Sequence, residues 1–356
     1  NDLSINYPQV IQRKNTIVAK MRKGLENLFK TNNIEFIKGI GKVSEGGKVE
    51  VGDKMISSKY IILATGSQPL IPDGFKLDGQ KIMSTDQILD LDEIPETMLI
   101  IGGGVIACEF ASIFNELGTK VTIMELLPRI LPYEDEEISA FMARQFTRRG
   151  IEVKTGAKVT PEICTGFQKT LVAAGRKPTG GFLKVKNDLA TDMPQVFAVG
   201  DVIGGQMLAH KAAAEGIFVA ENLFGKSTAI NYQAIPSAIY TYPEIGSVGL
   251  SEKTALEKGL KIKIGKCPFA ALGRAAVAGE IEGFFKIIAE EGTDRILGAH
   301  IVGERATDLI AECALAMQSG AKIHDLINTV HAHPTFAEGI KEAAENIFKR
   351  AISLRN

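Results

Sequence analysis

A chain of 356 residues is long enough for two or three domains, each burying its own core. Its 41 basic and 42 acidic side chains are interleaved and leave a net charge of −1, which offers no electrostatic footprint for nucleic acid or an anionic membrane. The longest apolar stretches, such as Ile61 to Thr65 and Met98 to Ile101, fall far short of a membrane span, and Asn1 opens no signal-peptide pattern. A soluble protein that meets small molecules and other proteins is the expectation.

In chain order, Val10 to Asn32 read as a helix with Val18, Met21, Leu25, Leu28 and Phe29 near one face. Short strands follow at Ile34 to Lys38 and Lys48 to Val51, set among glycine-rich turns. A compact apolar strand, Tyr60 to Ala64, runs into Thr65-Gly66-Ser67, and a strand-turn-helix-strand unit occupies Met98 to Glu125. Leu171 to Ala174 and Val196 to Val199 read as strands ending in turns, and Leu208 to Phe224 as a helix. From Asn231 onward the character becomes α+β, with strands near Ile235 to Tyr240, Lys261 to Ile264 and Phe284 to Ile288 and helices at Ala306 to Gln318 and Glu338 to Ala351.

The four cysteines, Cys108, Cys164, Cys267 and Cys313, lie far apart without paired spacing. They suggest neither a disulfide framework nor a zinc site, but buried or free thiols in a reducing compartment; no metal is expected.

The segment Gly102-Gly103-Gly104-Val105-Ile106-Ala107 follows an apolar strand and opens a helix. The first glycine permits the tight turn, the next lets the backbone approach a pyrophosphate, and the small Ala107 allows helix and strand to pack closely. The helix N-terminus then favours the anion. The following strand ends at Glu125, a carboxylate suited to both adenosine ribose hydroxyls and repulsive to the extra phosphate of NADP, so NAD is favoured. The bland alternative is a glycine-rich turn with Glu125 merely solvated.

Asp201 ends the strand Val196 to Val199, at the edge where open α/β sheets bind ligands, although alone it reads sooner as an ordinary helix-capping or turn acid. Ala64-Thr65-Gly66, Ala174-Gly175-Arg176, Gly200-Asp201 and Met207-Leu208-Ala209-His210-Lys211-Ala212 occur in the order found in flavin-dependent pyridine-nucleotide disulfide oxidoreductases. Within that family, His331-Ala332-His333-Pro334-Thr335-Phe336-Ala337-Glu338 resembles the signature of the dihydrolipoamide dehydrogenases, as do Ile235-Pro236-Ser237, Tyr240 to Glu244, Pro268-Phe269 and Gly273-Arg274-Ala275. The likeness runs over almost the entire chain.

The resemblance implies an α/β fold with two Rossmann-like dinucleotide-binding domains, both incomplete, and a C-terminal α+β dimerisation domain. The boundaries it suggests are 1–93 with 177–230 for FAD, 94–176 for NAD and 231–356 for the interface. It places Asp201 on the FAD ribitol chain, with Gly41, Thr65, Gly66, Ser67, Met207, Leu208, Ala209 and His210 near the flavin, and it places Gly175 and Arg176 with Gly102 to Ala107 and Glu125 at NAD. A helix starting near Leu208 would aim its positive end at the flavin pyrimidine, where negative charge collects on reduction; His210 reads equally as a helix-start residue satisfied by backbone.

Thiol-disulfide chemistry needs a proton acceptor, and imidazole has the suitable pKa, which makes His333 the candidate base with Glu338 to hold its tautomer and stabilise the imidazolium. The resemblance gives both residues these roles, acting across a homodimer. Without it, they read equally as a loop histidine packed before a proline and the first-turn acid of the next helix. His331 matches no catalytic position and is assigned a structural role. The implied reaction carries electrons from dihydrolipoamide through an enzyme disulfide and FAD to NAD, with lipoyl domains of 2-oxo acid dehydrogenase complexes or of the glycine cleavage system as partners. The implied location is the cytoplasm, or the mitochondrial matrix in a eukaryote.

Two departures stand against this pattern. No Gly-x-Gly-x-x-Gly unit with a following pair of cysteines precedes Val10, and 155–170 is too short for the strands the family places there. The sequence therefore reads as part of a longer polypeptide, with an incomplete sheet where the first strand belongs. A related flavin disulfide reductase of the mercuric or glutathione type, or a non-catalytic dimerising remnant, are the competing readings; Glu125 and His331 to Thr335 speak against the first.

Overall fold

The computed structural model of the protein describes residues 5–44, 47–226 and 229–354. They divide into two units, one from Asn1–Leu70, Asp86–Ile94 and Arg176–Ile230, the other from Ile71–Thr85, Pro95–Gly175 and Asn231–Asn356.

In the first unit, Asn6 accepts the Gln9 N–H and Pro8 occupies the first turn, so the opening helix starts at Tyr7 and continues to Thr31. Its apolar face at Val18, Met21, Leu25 and Leu28 is exposed. The stretch Ile34 to Lys38, expected as a strand, forms no ladder; Phe36 instead stacks on Phe29 with ring centroids 5.8 Å apart. An extended apolar segment becomes a strand only where a neighbour takes up its backbone groups. An antiparallel meander of Gly41–Ser44, Lys48–Val51 and Lys54–Ser57 follows. Ile61–Leu63 then pairs in parallel with Val196–Ala198, Ile61 opposite Val196. These two strands, expected to need a third between or beside them, are direct neighbours and make up this sheet among the described residues.

The second unit holds a five-stranded parallel sheet in the order Ile82–Ser84, Lys169–Val172, Thr97–Ile101, Lys120–Met124, Glu152–Lys154. Met98, Leu99, Ile100 and Ile123 are fully buried; Leu99 and Ile101 pack against Phe75, Cys164 and their loops, while the helices Val105–Glu116 and Glu136–Arg148 also pack on the sheet. The chain order reverses between Thr97–Ile101 and Lys169–Val172, and ligands of open α/β sheets bind at such a switch point. Between 155 and 170 the chain makes one 3-10 turn, Pro161–Gly166, whose Cys164 packs with Phe75, Leu99, Ile101 and Val172. The far edge is supplied by Ile82–Ser84, from a stretch that the sequence reading grouped with residues 1–93.

The same unit contains a five-stranded antiparallel sheet in the order Ser237–Ile239, Glu244–Gly249, Ile296–Gly303, Phe284–Glu290, Ile262–Pro268. Helices Ala306–Ser319, Ile323–Asn328 and Glu338–Asn346 cover it through a core that includes Phe269, Phe285, Ile301, Ile310 and Ile340. Facing away from that core, Lys286 is 1% exposed and binds Asp135 at 2.9 and 3.0 Å, Glu137 at 2.8 Å and Glu252 at 2.7 Å. A buried ammonium requires such partners. Burial pushes the Asp135 carboxyl up, but His300 and Lys286 pull it below the ordinary carboxylate range; Glu137 is lowered as well, by Lys266 and Lys286 against its own desolvation.

Carboxylates depressed in the folded state stabilise it above their unfolded pKa of about 4, and that contribution disappears as pH falls through the folded values. Urea unfolding of the wild-type chain should therefore show stability lost below about pH 4. Lys286→Met should cost about 3–5 kcal/mol at pH 7 by stranding Asp135, and its deficit should shrink as the carboxylates are protonated. A deficit independent of pH would contradict this account.

Candidate functional site

Three successive glycines follow the strand Thr97–Ile101, and the structure gives each a different reason. Gly102 has φ +109°, and a Cβ there would lie 2.4 Å from the Ala173 carbonyl oxygen. A Cβ on Gly103 would lie 2.9 Å from the Glu125 Cβ. A Cβ on Gly104 would meet nothing within 4 Å beyond its own chain neighbours, so this side is open for a ligand to approach the backbone. Gly104 is the N-cap of the helix Val105–Glu116 and no side chain caps it, which leaves N–H groups at the positive helix end; Ala107 is fully buried against the sheet. Turn, approach and close packing are thus met by Gly102, Gly104 and Ala107, the arrangement that a dinucleotide pyrophosphate requires. Val105 and Ile106 form the first helical turn.

Glu125 ends the next strand and is 8% exposed. Its Oε2 accepts the Gly103 N–H at 2.5 Å and its Oε1 the Leu127 N–H at 2.6 Å. A carboxylate retains further lone pairs for ribose hydroxyls. The nearest basic side chain in sequence, Arg129, donates to the carbonyls of Pro132 (2.7 Å) and Glu134 (3.0 Å), so it is committed to its own loop rather than free for a 2′-phosphate. Behind the glycine turn, Glu109 and Ser112 of the helix accept the backbone N–H groups of Tyr240 and Tyr242 at 2.8 and 2.9 Å.

In the other unit, the parallel strands Ile61–Leu63 and Val196–Ala198 deliver Thr65, Gly66, Ser67 and Asp201 to one edge. Ser67 Oγ donates to Asp201 Oδ2 at 2.5 Å. Arg176, expected with the nicotinamide residues, lies in this unit instead: its Nε and one terminal nitrogen donate to Ser67 Oγ (3.0 Å) and O (2.7 Å). Gly175, at φ +110°, is the last residue of the neighbouring segment. Gly41 begins the meander.

Met207 and Leu208 precede the helix Ala209–Leu223, with Leu208 as an N-cap that makes no side-chain capping hydrogen bond and His210 in the first turn. The same helix supplies two residues that the sequence reading passed over. Glu215 accepts the Gly200 N–H at 2.7 Å and pairs with Lys211 at 3.0 Å, while Lys211 donates to the Gly204 carbonyl at 3.0 Å. This buried pair clamps both ends of the turn that presents Asp201. Its only signal in sequence is i,i+4 spacing, which usually marks a solvated pair.

His333 Nδ1 lies 2.8 Å from Glu338 Oε1, and Glu338 Oε2 accepts the Thr335 N–H at 2.8 Å. Burial raises the Glu338 carboxyl, but the Thr335 N–H and His333 more than offset this, so it lies below the ordinary range. The His333 side chain is 78% exposed. His331 is turned inward, its Nε2 2.9 Å from Glu312. All four cysteines are buried and free; burial pushes the thiols of Cys267 and Cys313 to about 12 and that of Cys108 higher still. No metal-ligating cluster and no helix long and apolar enough to cross a membrane occur among the described residues.

Residues 3–164 match the family described as pyridine nucleotide-disulphide oxidoreductase, and residues 235–344 match its dimerisation domain. A dihydrolipoyl dehydrogenase of Chlamydia muridarum is 37% identical over 377 residues, covering 97% of this chain and 81% of the relative. One from Bacillus subtilis is 37% identical, with 96% and 82% covered. Among solved structures, the HOCl-induced flavoprotein disulfide reductase RclA of Escherichia coli superposes with a TM-score of 0.87 at 26% identity over 96% of this chain and 86% of that one. LpdA of Mycobacterium tuberculosis does so at 0.89 with 23% identity, over 96% and 84%.

The contrast between neighbouring glycines is testable. Gly104→Ala should leave the thermal midpoint unchanged or slightly higher while weakening dinucleotide binding, because its Cβ meets only open space. Gly103→Ala should lower the midpoint by forcing Glu125 aside. Equal effects of the two on stability would refute the distinction.

Proposed function

Because the chain belongs to the pyridine nucleotide-disulphide oxidoreductase family, we propose that it serves in the oxidation of protein-bound dihydrolipoamide to lipoamide, with FAD and NAD as cofactors. The observation that carries this reading is the His333–Glu338 pair at 2.8 Å within the segment that resembles the dihydrolipoamide dehydrogenases. FAD and NAD, when bound, supply the electron and hydride chemistry; the protein supplies alignment and proton handling.

With Nδ1 donating to Glu338, Nε2 of His333 is the nitrogen left to take a proton from the substrate thiol. Glu338, kept ionised by the Thr335 N–H and His333, fixes that tautomer and stabilises the imidazolium. Asp201, held by Ser67, keeps acceptor capacity for the ribitol hydroxyls of FAD, and Thr65, Gly66, Gly41 and the Met207 to His210 segment line the flavin side. The uncapped glycine turn and Glu125 take the pyrophosphate and adenosine ribose of NAD. Arg176, through Ser67, is better read as part of the flavin site.

Residues 1–70, 86–94 and 176–230 serve FAD, 71–85 with 95–175 serve NAD, and 231–356 form the interface of a homodimer. The enzyme disulfide of the implied relay is not drawn from Cys108, Cys164, Cys267 or Cys313, which are buried and free. Lipoyl domains are the protein partners, and a reducing compartment such as the cytoplasm or the mitochondrial matrix is consistent with those thiols. The likeness to RclA favours, as the second reading, a flavin disulfide reductase with another substrate.

Titration of the full chain should show NAD bound more tightly than NADP, and Glu125→Ala should weaken NAD by about 1–3 kcal/mol with any flavin binding unaffected. Unchanged NAD affinity would count against the nucleotide assignment. His333→Gln should slow reduction by dihydrolipoamide at least roughly 100-fold while the dimer and flavin content persist. Near wild-type turnover in that variant would remove His333 from the chemistry.

A further inference from the structure

We propose that Lys286, in the antiparallel sheet, is a positioning residue for the dinucleotide site, acting through Asp135 and the loop of residues 126–135 on the Gly103 carbonyl. The proposal rests on the reading of Gly102 to Glu125 as the NAD unit.

The route is continuous. Lys286 holds both oxygens of Asp135, and Asp135 is the N-cap of the helix Glu136–Arg148, accepting the Glu137 N–H at 3.1 Å. One turn into that helix, Ser139 Oγ donates to the Ile130 carbonyl at 2.6 Å. The next residue, Leu131, donates its N–H to the Gly103 carbonyl at 2.7 Å. Leu131 is 1% exposed at φ +46°, a left-handed conformation that a leucine keeps only where its surroundings over-determine it. Those surroundings are Ser139 on one side and, on the other, Arg129, which ties the loop to the Pro132 and Glu134 carbonyls.

The consequence for the site follows from peptide planarity. In a trans peptide the C=O and the next N–H point in opposite directions. Fixing the Gly103 carbonyl on Leu131 therefore sets the direction of the Gly104 N–H, at the open helix end where a pyrophosphate would lie. The antiparallel sheet thereby controls the aim of a donor in the nucleotide turn, across 151 residues of sequence between Asp135 and Lys286.

The test compares three variants of the full chain by NAD titration and by amide exchange at Leu131. Lys286→Met and Ser139→Ala, both on the route, should weaken NAD binding by about 2- to 30-fold and accelerate Leu131 exchange. Ser139→Ala removes one hydroxyl and keeps the experiment informative should Lys286→Met fail to fold. Glu252→Gln weakens another partner of the same lysine while keeping the Glu252 backbone N–H on Asp135 Oδ2 (3.1 Å), so it leaves the route intact and should leave NAD affinity and Leu131 exchange at wild-type values. A route variant with unchanged affinity and protection, or Glu252→Gln matching Ser139→Ala, overturns the role of Lys286 alone. A wild-type chain that takes up no NAD overturns the parent reading, and this role with it.

Discussion

The bond from the Gly103 N–H to Glu125 joins the ends of two adjacent parallel strands, and the nucleotide half of the molecule is organised around it. Parallel pairing brings the two strand ends side by side, but only a residue without Cβ lets the carboxylate approach the turn so closely. Once made, the bond leaves the helix N-terminus uncapped and the carboxylate buried beside it. Uncapped helix-end donors and a buried acceptor thus arise from one constraint. The loop after Glu125 completes the enclosure, with Leu127 on the second carboxylate oxygen and Leu131 on the opposite end of the Gly103 residue.

Elsewhere the fold uses buried charge in the same supporting capacity. Lys211 and Glu215 have almost no solvent exposure, yet each bonds the backbone of the Gly200 to Gly204 turn, so their desolvation is offset by groups that would otherwise lack partners. In the Lys286 cluster one ammonium serves three carboxylates from two helix starts. The residues proposed to meet ligands, Asp201, Glu125 and Glu338, are in turn each held by a backbone N–H or a hydroxyl, which fixes their geometry before any ligand arrives.

The strand-glycine-helix-strand unit was legible because its information is local: alternating periods, three glycines and a terminal acid within 28 residues of Met98 to Glu125. The His333–Glu338 pair was drawn from the resemblance, since a histidine and a glutamate five residues apart carry no diagnostic spacing of their own. The central strand Ile296–Gly303 passed unrecognised, because Gly298, His300 and Gly303 interrupt its apolar run; the glycine at 298 is there because Leu250 backbone leaves no room for a Cβ. The helix Glu136–Arg148 was missed although Asp135 and its acidic first turn are ordinary start signals. Ile34 to Lys38 was overread, since β-propensity says nothing of whether a partner strand is present. Arg176 was grouped with Gly175 through the resemblance, whereas its backbone pairs with Pro69 and its side chain follows to Ser67. Lys286 and Asp135 lie too far apart in sequence for any pattern to connect them.

All four thiols are buried, and burial pushes those of Cys108, Cys267 and Cys313 well above the usual thiol range, which has a practical consequence. Alkylating and maleimide reagents are attacked by an accessible thiolate, so these buried sulfurs leave the folded chain chemically silent toward them. A single cysteine engineered on its surface becomes a selective attachment point for a fluorophore or spin label, with no need to strip the native sulfurs from a core they help to fill.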